Sequence, residues 1–143
     1  MQLETNYLGT IEVEDGNKLQ FSLGIPGFPE EKEFALLPFP ESEFYLLQSI
    51  VHKHVAFVCL NPFSIWKDYH IDLDANTVQL LEVTQPTDVA LFVIITIQQP
   101  FSQSTANLNA PIIINTRNNK GKQLVQEGQP YSSKALLSTK GGA

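Results

Sequence analysis

The sequence of 143 residues contains a single cysteine and no long hydrophobic run. One cysteine cannot form an internal disulfide, which is typical of a protein from a reducing compartment. The longest apolar stretch, residues 90–97 with one threonine inside, is about half the length that a membrane span needs. The first residues carry neither the basic patch nor the apolar core of a secretory signal. We therefore expect a cytoplasmic protein without a membrane segment.

Sequence motifs of catalysis and of nucleotide binding are also missing. The chain has no nucleophile elbow, no P-loop, no His-Glu-x-x-His motif and no dinucleotide fingerprint. Cys59 lies inside the apolar run 55–60, where burial disfavours the thiolate that a nucleophile requires. We expect a protein that is not an enzyme and that has neither a catalytic residue nor a cofactor.

Three histidines offer the alternative of a metal site. His52 and His54 flank a lysine, and together with His70 and Asp68 or Asp72 they could supply nitrogen and oxygen ligands. A polar loop at residues 49–55 is the competing interpretation, and we expect no bound metal. A small-ligand or metal-binding β-barrel is therefore the alternative function.

Charge is scarce and unevenly distributed. Charged residues make up 17% of the chain and the formal net charge is −6. The first fifty residues hold nine acidic and two basic side chains, whereas residues 101–143 hold one acidic and five basic ones. A surface of this sign repels nucleic acid and attracts basic partners. The basic turn 117–122 could contact RNA phosphates, but it lacks the interleaved aromatics of a base-stacking platform.

Apolar and polar residues alternate through most of the chain, which is the pattern of half-buried strands. Asp15–Asn17, between alternating runs at 11–13 and 19–23, predicts a hairpin turn. Asp74 predicts the N-cap of a short helix over residues 75–82. Further strands are predicted at 34–38, 44–48, 55–60, 89–98, 111–115 and 123–125.

These elements predict an all-β fold, a small antiparallel β-barrel-like single domain with one short helix. We place that domain at residues 1–126. A loosely docked or flexible C-terminal tail is expected at residues 127–143, which are rich in glycine, serine and lysine.

Four stretches are more specific than composition explains. They are residues 21–28 (FSLGIPGF), 56–63 (AFVCLNPF), 67–69 (KDY) and 105–123 (TANLNAPIIINTRNNKGKQ). In this order they resemble the FliW family of flagellar assembly factors, over nearly the whole chain from about Leu3 to Val125.

The resemblance implies a bacterial cytoplasmic regulator that acts by binding two proteins in turn. Members of this family bind flagellin before export, and when flagellin is depleted they bind the translational repressor CsrA. CsrA then no longer silences flagellin mRNA. An acidic antagonist suits a basic RNA-binding repressor. The resemblance implies neither direct nucleic-acid binding nor membrane binding, and nothing in the sequence demands more than a monomer.

The resemblance also suggests roles for particular residues. The positions that match family turns, where a structural role is at least as good an interpretation as partner contact, are Gly24, Pro26, Gly27, Asn61, Pro62, Asn107, Pro111 and Asn115. Phe28 and Phe63 each follow a turn and are predicted partner anchors along with Asn107, with buried packing as the alternative for the aromatics. The acidic residues predicted to steer CsrA are Glu30, Glu31, Glu33, Glu41 and Glu43.

Overall fold

The structure is a computed structural model that describes residues 1–126, Gly128 and residues 130–137. Eleven strands are present within these residues: β1 (Gln2–Glu4), β2 (Thr10–Glu12), β3 (Leu19–Gln20), β4 (Glu33–Pro38), β5 (Phe44–Ser49), β6 (Ala56–Leu60), β7 (Val89–Thr96), β8 (Thr105–Ala106), β9 (Ile112–Asn115), β10 (Lys120–Gln123) and β11 (Ala135–Leu136). One α-helix, α1 (Ala75–Leu81), lies between β6 and β7. Within the same residues, no helix is long and apolar enough to cross a membrane.

Seven of the strands pair in a closed ring. The order runs from β3 through β4, β5 and β6 to β7, and β7 pairs with β9, which returns to β3 through β10. The second half of β7 also pairs with β8, and β8 pairs with β11. All pairings are antiparallel except a single parallel bridge between Lys120 and Gln20. The prediction of an all-β, barrel-like domain with one short helix is confirmed, and the β3–β10 bridge departs from the antiparallel pattern.

The hairpin predicted at Asp15–Asn17 is wrong. This segment is a single 3-10 turn, and the strands on its two sides do not pair with each other. Instead, β2 pairs with β1 and β3 pairs with β4. Leu3 and Val13 are buried in a separate apolar cluster against Leu46, which keeps the β1–β2 pair together. The residues Asp15–Asn17 favour a turn locally, but the packing of Leu3 and Val13 against Leu46 decides which strands pair.

The strand predicted at 123–125 begins three residues earlier, at Lys120. Gly121 lies against the buried ring of Phe21, and a Cβ at this position would lie 2.5 Å from the ring. A residue without a side chain is therefore needed where β10 crosses the main core.

The helix prediction is confirmed, with an end one residue earlier than expected. The backbone N–H of Thr77 donates to Asp74 Oδ1 over 2.8 Å, which is the expected N-cap. Glu82 lies beyond the helix with a left-handed φ of 57°. Leu81 is buried with Ile113 and Leu124, and this contact holds α1 against the barrel.

Part of the predicted C-terminal tail contacts the barrel. The strand β11 pairs with β8, Leu137 is buried beside Val93, and the ring of Tyr131 lies 4.6 Å from that of Tyr69. Position 127, position 129 and residues 138–143 lie outside the described residues. The division of the chain at residue 126 therefore stays a prediction.

Candidate functional site

A groove lies between α1 and β7. Its volume is about 790 Å³, and most of its walls are half-buried aliphatic side chains. They include Ile71 and Leu73 before the helix, Val83 after it and Leu91 on β7. Phe63 also lines this groove and is 41% exposed. Such a surface can bind apolar side chains of a partner.

The turn that carries Phe63 is fixed by its own sequence. Asn61 Oδ1 accepts from the backbone N–H of Phe63 over 2.9 Å, and Ser64 Oγ donates to the Asn61 carbonyl over 2.8 Å. Pro62 is buried at the first position of the 3-10 turn, where its missing N–H is harmless. The ring of Phe63 meets Tyr69 edge-on at 6.1 Å. Asn61 and Pro62 therefore hold a half-exposed aromatic in one position.

A second half-exposed aromatic, Phe28, lies on the turn that joins β3 to β4. Gly24 and Gly27 both have left-handed φ values, 67° and 87°. A Cβ on Gly24 would lie 2.6 Å from the carbonyl oxygen of Phe28, so this position needs glycine. Phe28 is 41% exposed, and its ring packs edge-on against Phe57 at 5.5 Å. Pro26, between the two glycines, is exposed.

Glu31 differs from the other predicted steering residues because it is only 8% exposed. Its carboxylate accepts from Ser49 Oγ over 2.5 Å and lies 2.6 Å from His52 Nδ1. Ser49 Oγ in turn accepts from the backbone N–H groups of Val51 and His52. This cluster ties the Phe28 turn to the β5–β6 loop. Glu31 thus has a structural contact, and its predicted role in steering stays a prediction.

The remaining predicted acids fall at two places instead of one. Glu30 and Glu33 lie at the start of β4, and Glu41 and Glu43 lie past its end, about 20 Å away by the length of a six-residue strand. Glu30, Glu41 and Glu43 are exposed and form no ion pair with any described residue. Glu33 is half-buried and accepts from Gln20 Nε2 over 3.3 Å. The acidic charge is therefore spread along one side of the barrel.

The asparagines matched to family turns bind backbone groups. Asn107 is half-buried, and its Oδ1 accepts from the backbone N–H of Asn109 over 3.1 Å. Asn115 is fully buried, with Nδ2 donating to the Leu81 carbonyl over 2.8 Å and Oδ1 accepting from the Arg117 N–H over 2.9 Å. These contacts hold turns in place, and partner contact by Asn107 stays a prediction.

Pro111 also has a structural position. It is buried, and its carbonyl accepts from the backbone N–H of Leu124 over 2.9 Å. This bond connects the start of β9 to the segment that follows β10.

The three histidines do not converge on one point. His52 lies against Glu31, His54 Nδ1 lies 3.4 Å from Asn6 Oδ1, and His70 Nε2 lies 3.0 Å from Asp72 Oδ1. In the part of the chain that the structure describes, no group of three or more His, Cys, Asp or Glu side chains could hold a metal ion. The metal alternative therefore has no geometric support there.

Cys59 is fully buried in the barrel core, and burial raises the pKa of its thiol to about 12. A thiol in this state is protonated at neutral pH, so it is a poor nucleophile. This agrees with the sequence-based interpretation of an inert core residue.

The cations of the basic turn are held by neighbouring groups. Arg117 Nη2 donates to the Glu82 carbonyl over 2.7 Å, and Arg117 Nε lies 3.6 Å from Asp88 Oδ1. Lys120 forms an ion pair with the Glu82 carboxylate, and Lys122 Nζ donates to Thr77 Oγ1 over 3.1 Å. These side chains bind the end of α1 and its surroundings, and the absence of direct RNA binding stays a prediction.

Two carboxyl groups near this turn have altered pKa values. The hydrogen bond and the charge of Lys120 hold the pKa of Glu82 below its usual range. Hydrogen bonds from Thr84, first among them its backbone N–H, hold the pKa of Asp88 below its usual range. Both groups therefore stay ionised in mildly acidic solution and continue to face the basic turn.

Sequence reasoning missed the groove beside α1. Its wall combines residues from three separate segments: the 61–63 turn, the residues around α1, and β7. The sequence did carry one signal for this groove: the aliphatic side chains at 71–91 are more numerous than a two-turn helix can bury.

Comparisons with known proteins give a consistent result. A family model described as "FliW protein" matches residues 2–137. The flagellar assembly factor FliW of Shouchella clausii (strain KSM-K16) is 51% identical over 142 residues, covering 99% of this chain and 97% of that protein. The protein of the same name from Anoxybacillus flavithermus (strain DSM 21510 / WK1) is 46% identical over 137 residues, covering 96% and 94%. A crystal structure of the flagellar assembly factor FliW superposes with a TM-score of 0.92 at 44% identity, covering 96% of each chain.

Proposed function

The chain belongs to the FliW family of flagellar assembly factors, and from that premise we propose that it binds flagellin in the cytoplasm and, when free of flagellin, binds and antagonises the translational repressor CsrA. Antagonism of CsrA relieves the repression of flagellin mRNA. The chain acts by binding, without a cofactor and without a chemical step.

The observation that carries this proposal is the uncompensated acidic charge on one side of the barrel. Glu30, Glu41 and Glu43 are exposed and unpaired among the described residues, whereas the cations of the basic turn are held internally. Because Arg117 is paired with Asp88 and Lys120 with Glu82, the net charge of −6 resides on the other ionisable side chains, the exposed carboxylates among them. A surface of this kind favours a basic RNA-binding protein as partner and disfavours RNA nearby.

Two aromatic side chains supply the apolar part of the proposed contacts. Phe28 and Phe63 are each half-exposed, and each is held by a rigid turn. A preorganised aromatic loses little side-chain entropy on binding, so such residues commonly dominate an interface. We assign both residues to partner binding.

Mutually exclusive binding makes the chain a sensor of free flagellin. While flagellin is abundant, it occupies the chain and CsrA stays on its mRNA. When flagellin is exported, the fraction of free chain rises by mass action and CsrA is captured.

A mobility-shift experiment tests the proposal. Labelled flagellin leader RNA is first bound by CsrA, and the purified chain is then added in increasing amounts. We expect the RNA to be released, and we expect excess flagellin to restore the CsrA–RNA complex. The chain alone should not shift the RNA. RNA that stays bound to CsrA at saturating chain, or a shift by the chain alone, would contradict the proposal.

Exclusivity has a separate test. Size-exclusion chromatography of the chain with both flagellin and CsrA should yield two binary complexes and no ternary one. A ternary complex in which the affinity for each partner is undiminished would refute it.

A further inference from the structure

The strand β4 has one edge that is largely unpaired. Along the other edge it pairs with β5 from Phe34 to Pro38. On the β3 side only Glu33 and Phe34 have partners, because β3 consists of two residues. Among the described residues, no strand continues this pairing along residues 35–38. The barrel therefore has a gap in its hydrogen-bonding ladder beside β4.

The alternation of an antiparallel ladder shows which backbone groups face this gap. The N–H of Phe39 donates to the Phe44 carbonyl and the N–H of Ile50 donates to the Glu33 carbonyl, each over 3.0 Å. Odd-numbered residues of β4 therefore bond to β5, and even-numbered residues turn their polar groups away from it. Leu36 thus directs its N–H and its carbonyl to the open edge, and no described residue binds them there. Pro38, which has no N–H, occupies a position where an edge strand tolerates proline.

An acidic groove of about 500 Å³ runs beside this edge. Glu12, Val13 and Glu14 line it together with residues 35–38 of β4. Glu14 forms no ion pair with a described residue, and Glu12, which is 70% exposed, pairs only with the terminal amine at 3.5 Å. Lys18 is paired with Asp15. The groove thus combines free backbone hydrogen-bonding groups with the unpaired carboxylate of Glu14 and with that of Glu12, which pairs only with the terminal amine.

We propose that this edge of β4 is a docking site for an extended basic peptide segment of a partner protein. The segment adds a short strand to the barrel, its main chain pairs with Leu36, and its lysine or arginine side chains meet Glu12 and Glu14. The carboxylates disfavour an acidic segment, and the open backbone groups disfavour a helical one. The site is assigned by its own geometry and does not depend on which protein supplies the segment.

A pair of synthetic peptides tests the proposal. The first is acetyl-Lys-Thr-Lys-Val-Lys-Thr-amide, and the second has the same sequence with every backbone nitrogen methylated, so that neither edge of the peptide can donate a hydrogen bond. Amide hydrogen exchange of the whole chain is followed by NMR. We expect saturation with the first peptide to slow exchange at the Leu36 amide by about tenfold or more, and we expect the methylated peptide not to bind. Binding without protection of Leu36, equal binding of the methylated peptide, or no binding of the first peptide would overturn the proposal.

Charge variants test the acidic wall independently of the backbone. We expect the double variant Glu12→Gln/Glu14→Gln to weaken binding of the first peptide by about tenfold, the effect of losing two charge-assisted contacts. The matched control is Glu4→Gln, since Glu4 is an exposed acid of β1 outside the groove. Both changes are at exposed positions, so the fold should persist, which circular dichroism checks. Equal affinities of the double variant and the control would overturn the assignment of these carboxylates.

Discussion

The acidic first third of the chain and the basic turn at 117–122 carry charges of opposite sign, and they differ in whether those charges are paired within the chain. In the acidic region, Glu30, Glu41 and Glu43 are exposed and have no ionic partner among the described residues. In the basic turn, Arg117 and Lys120 bind carboxylate or carbonyl oxygens near α1.

This difference indicates that ion pairing within the chain decides which charges a partner meets. A cation bound to its own carboxylate contributes little to the field that an approaching molecule senses, whereas an unpaired carboxylate contributes fully. The paired cations of the basic turn therefore bind neighbouring groups of the same chain, and in the proposed function the acidic side is the surface that CsrA meets.

The largest expected effect comes from breaking the turn that carries Phe28 and precedes Glu30. Gly24→Ala forces a left-handed φ on alanine and places a Cβ 2.6 Å from backbone atoms of Phe28 and Pro29. We expect the free energy of unfolding to fall by about 3 kcal/mol or more, measured by urea denaturation. The control is Gly16→Ala, where a Cβ meets nothing within 4 Å. A Gly24→Ala protein as stable as this control would contradict the account of the turn.

The next effect comes from releasing the basic turn. Asn115→Ala removes the buried bonds to the Leu81 carbonyl and to the Arg117 N–H. We expect a loss of about 2 kcal/mol in the free energy of unfolding, because the Arg117 N–H is left without a partner and the Leu81 carbonyl keeps only the Asn118 amide. Asn109→Ala is the control, since no side-chain hydrogen bond of Asn109 is present among the described residues. If both variants match the parent chain, the side chain of Asn115 does not hold the turn.

A smaller effect is expected from variants that remove charge without changing the fold. The triple variant Glu30→Gln/Glu41→Gln/Glu43→Gln should lower the association rate constant with CsrA about tenfold at low salt. Stopped-flow measurements at low and at high salt check this, since salt should abolish the difference. Lys120→Gln should change the same rate constant less than about twofold, because that cation is already paired. Equal effects of the two variants would mean that pairing does not decide the contribution of a charge.

The smallest effect concerns the acid that faces the basic turn. Since the folded-state pKa of Asp88 is held below its usual value, ionisation of Asp88 stabilises the fold above its unfolded pKa of about 3.9. This stabilisation is lost as the pH falls through the folded pKa. We expect the melting temperature of the parent chain to fall more steeply below about pH 4 than that of Asp88→Asn. Scanning calorimetry at pH 3 to 6 checks this, and parallel curves would contradict it.

The sequence predicted most of the strands because period-two alternation reports burial on one face. The helix α1 was predictable from another local signal. The side chain of Asp74 accepts a hydrogen bond from a backbone N–H three residues later, which marks the start of a helix. Pairing partners were not predictable in this way. The expected hairpin at Asp15–Asn17 failed because Leu3, far away in the chain, is packed with Val13.

The candidate site was predictable in part. The turns before Phe28 and Phe63 were predictable from their glycine and proline motifs, whereas the sequence left exposed anchors and buried packing open for the two aromatics, which are each 41% exposed. The environment of Glu31 was not predictable, since Ser49 and His52 come from a loop 18 or more residues later. The ion pair between Lys120 and Glu82 likewise joins residues 38 apart. Sequence shows which charges exist, and long-range packing shows which of them are neutralised.

The most direct test of the central claim is a calorimetric titration of the purified chain with CsrA at low and at high salt, repeated after saturation with flagellin. We expect tight binding that weakens steeply with salt and disappears when flagellin is bound. Binding that is insensitive to salt would contradict the role of the unpaired acids. Binding that is undiminished by flagellin would contradict the proposed switch between partners.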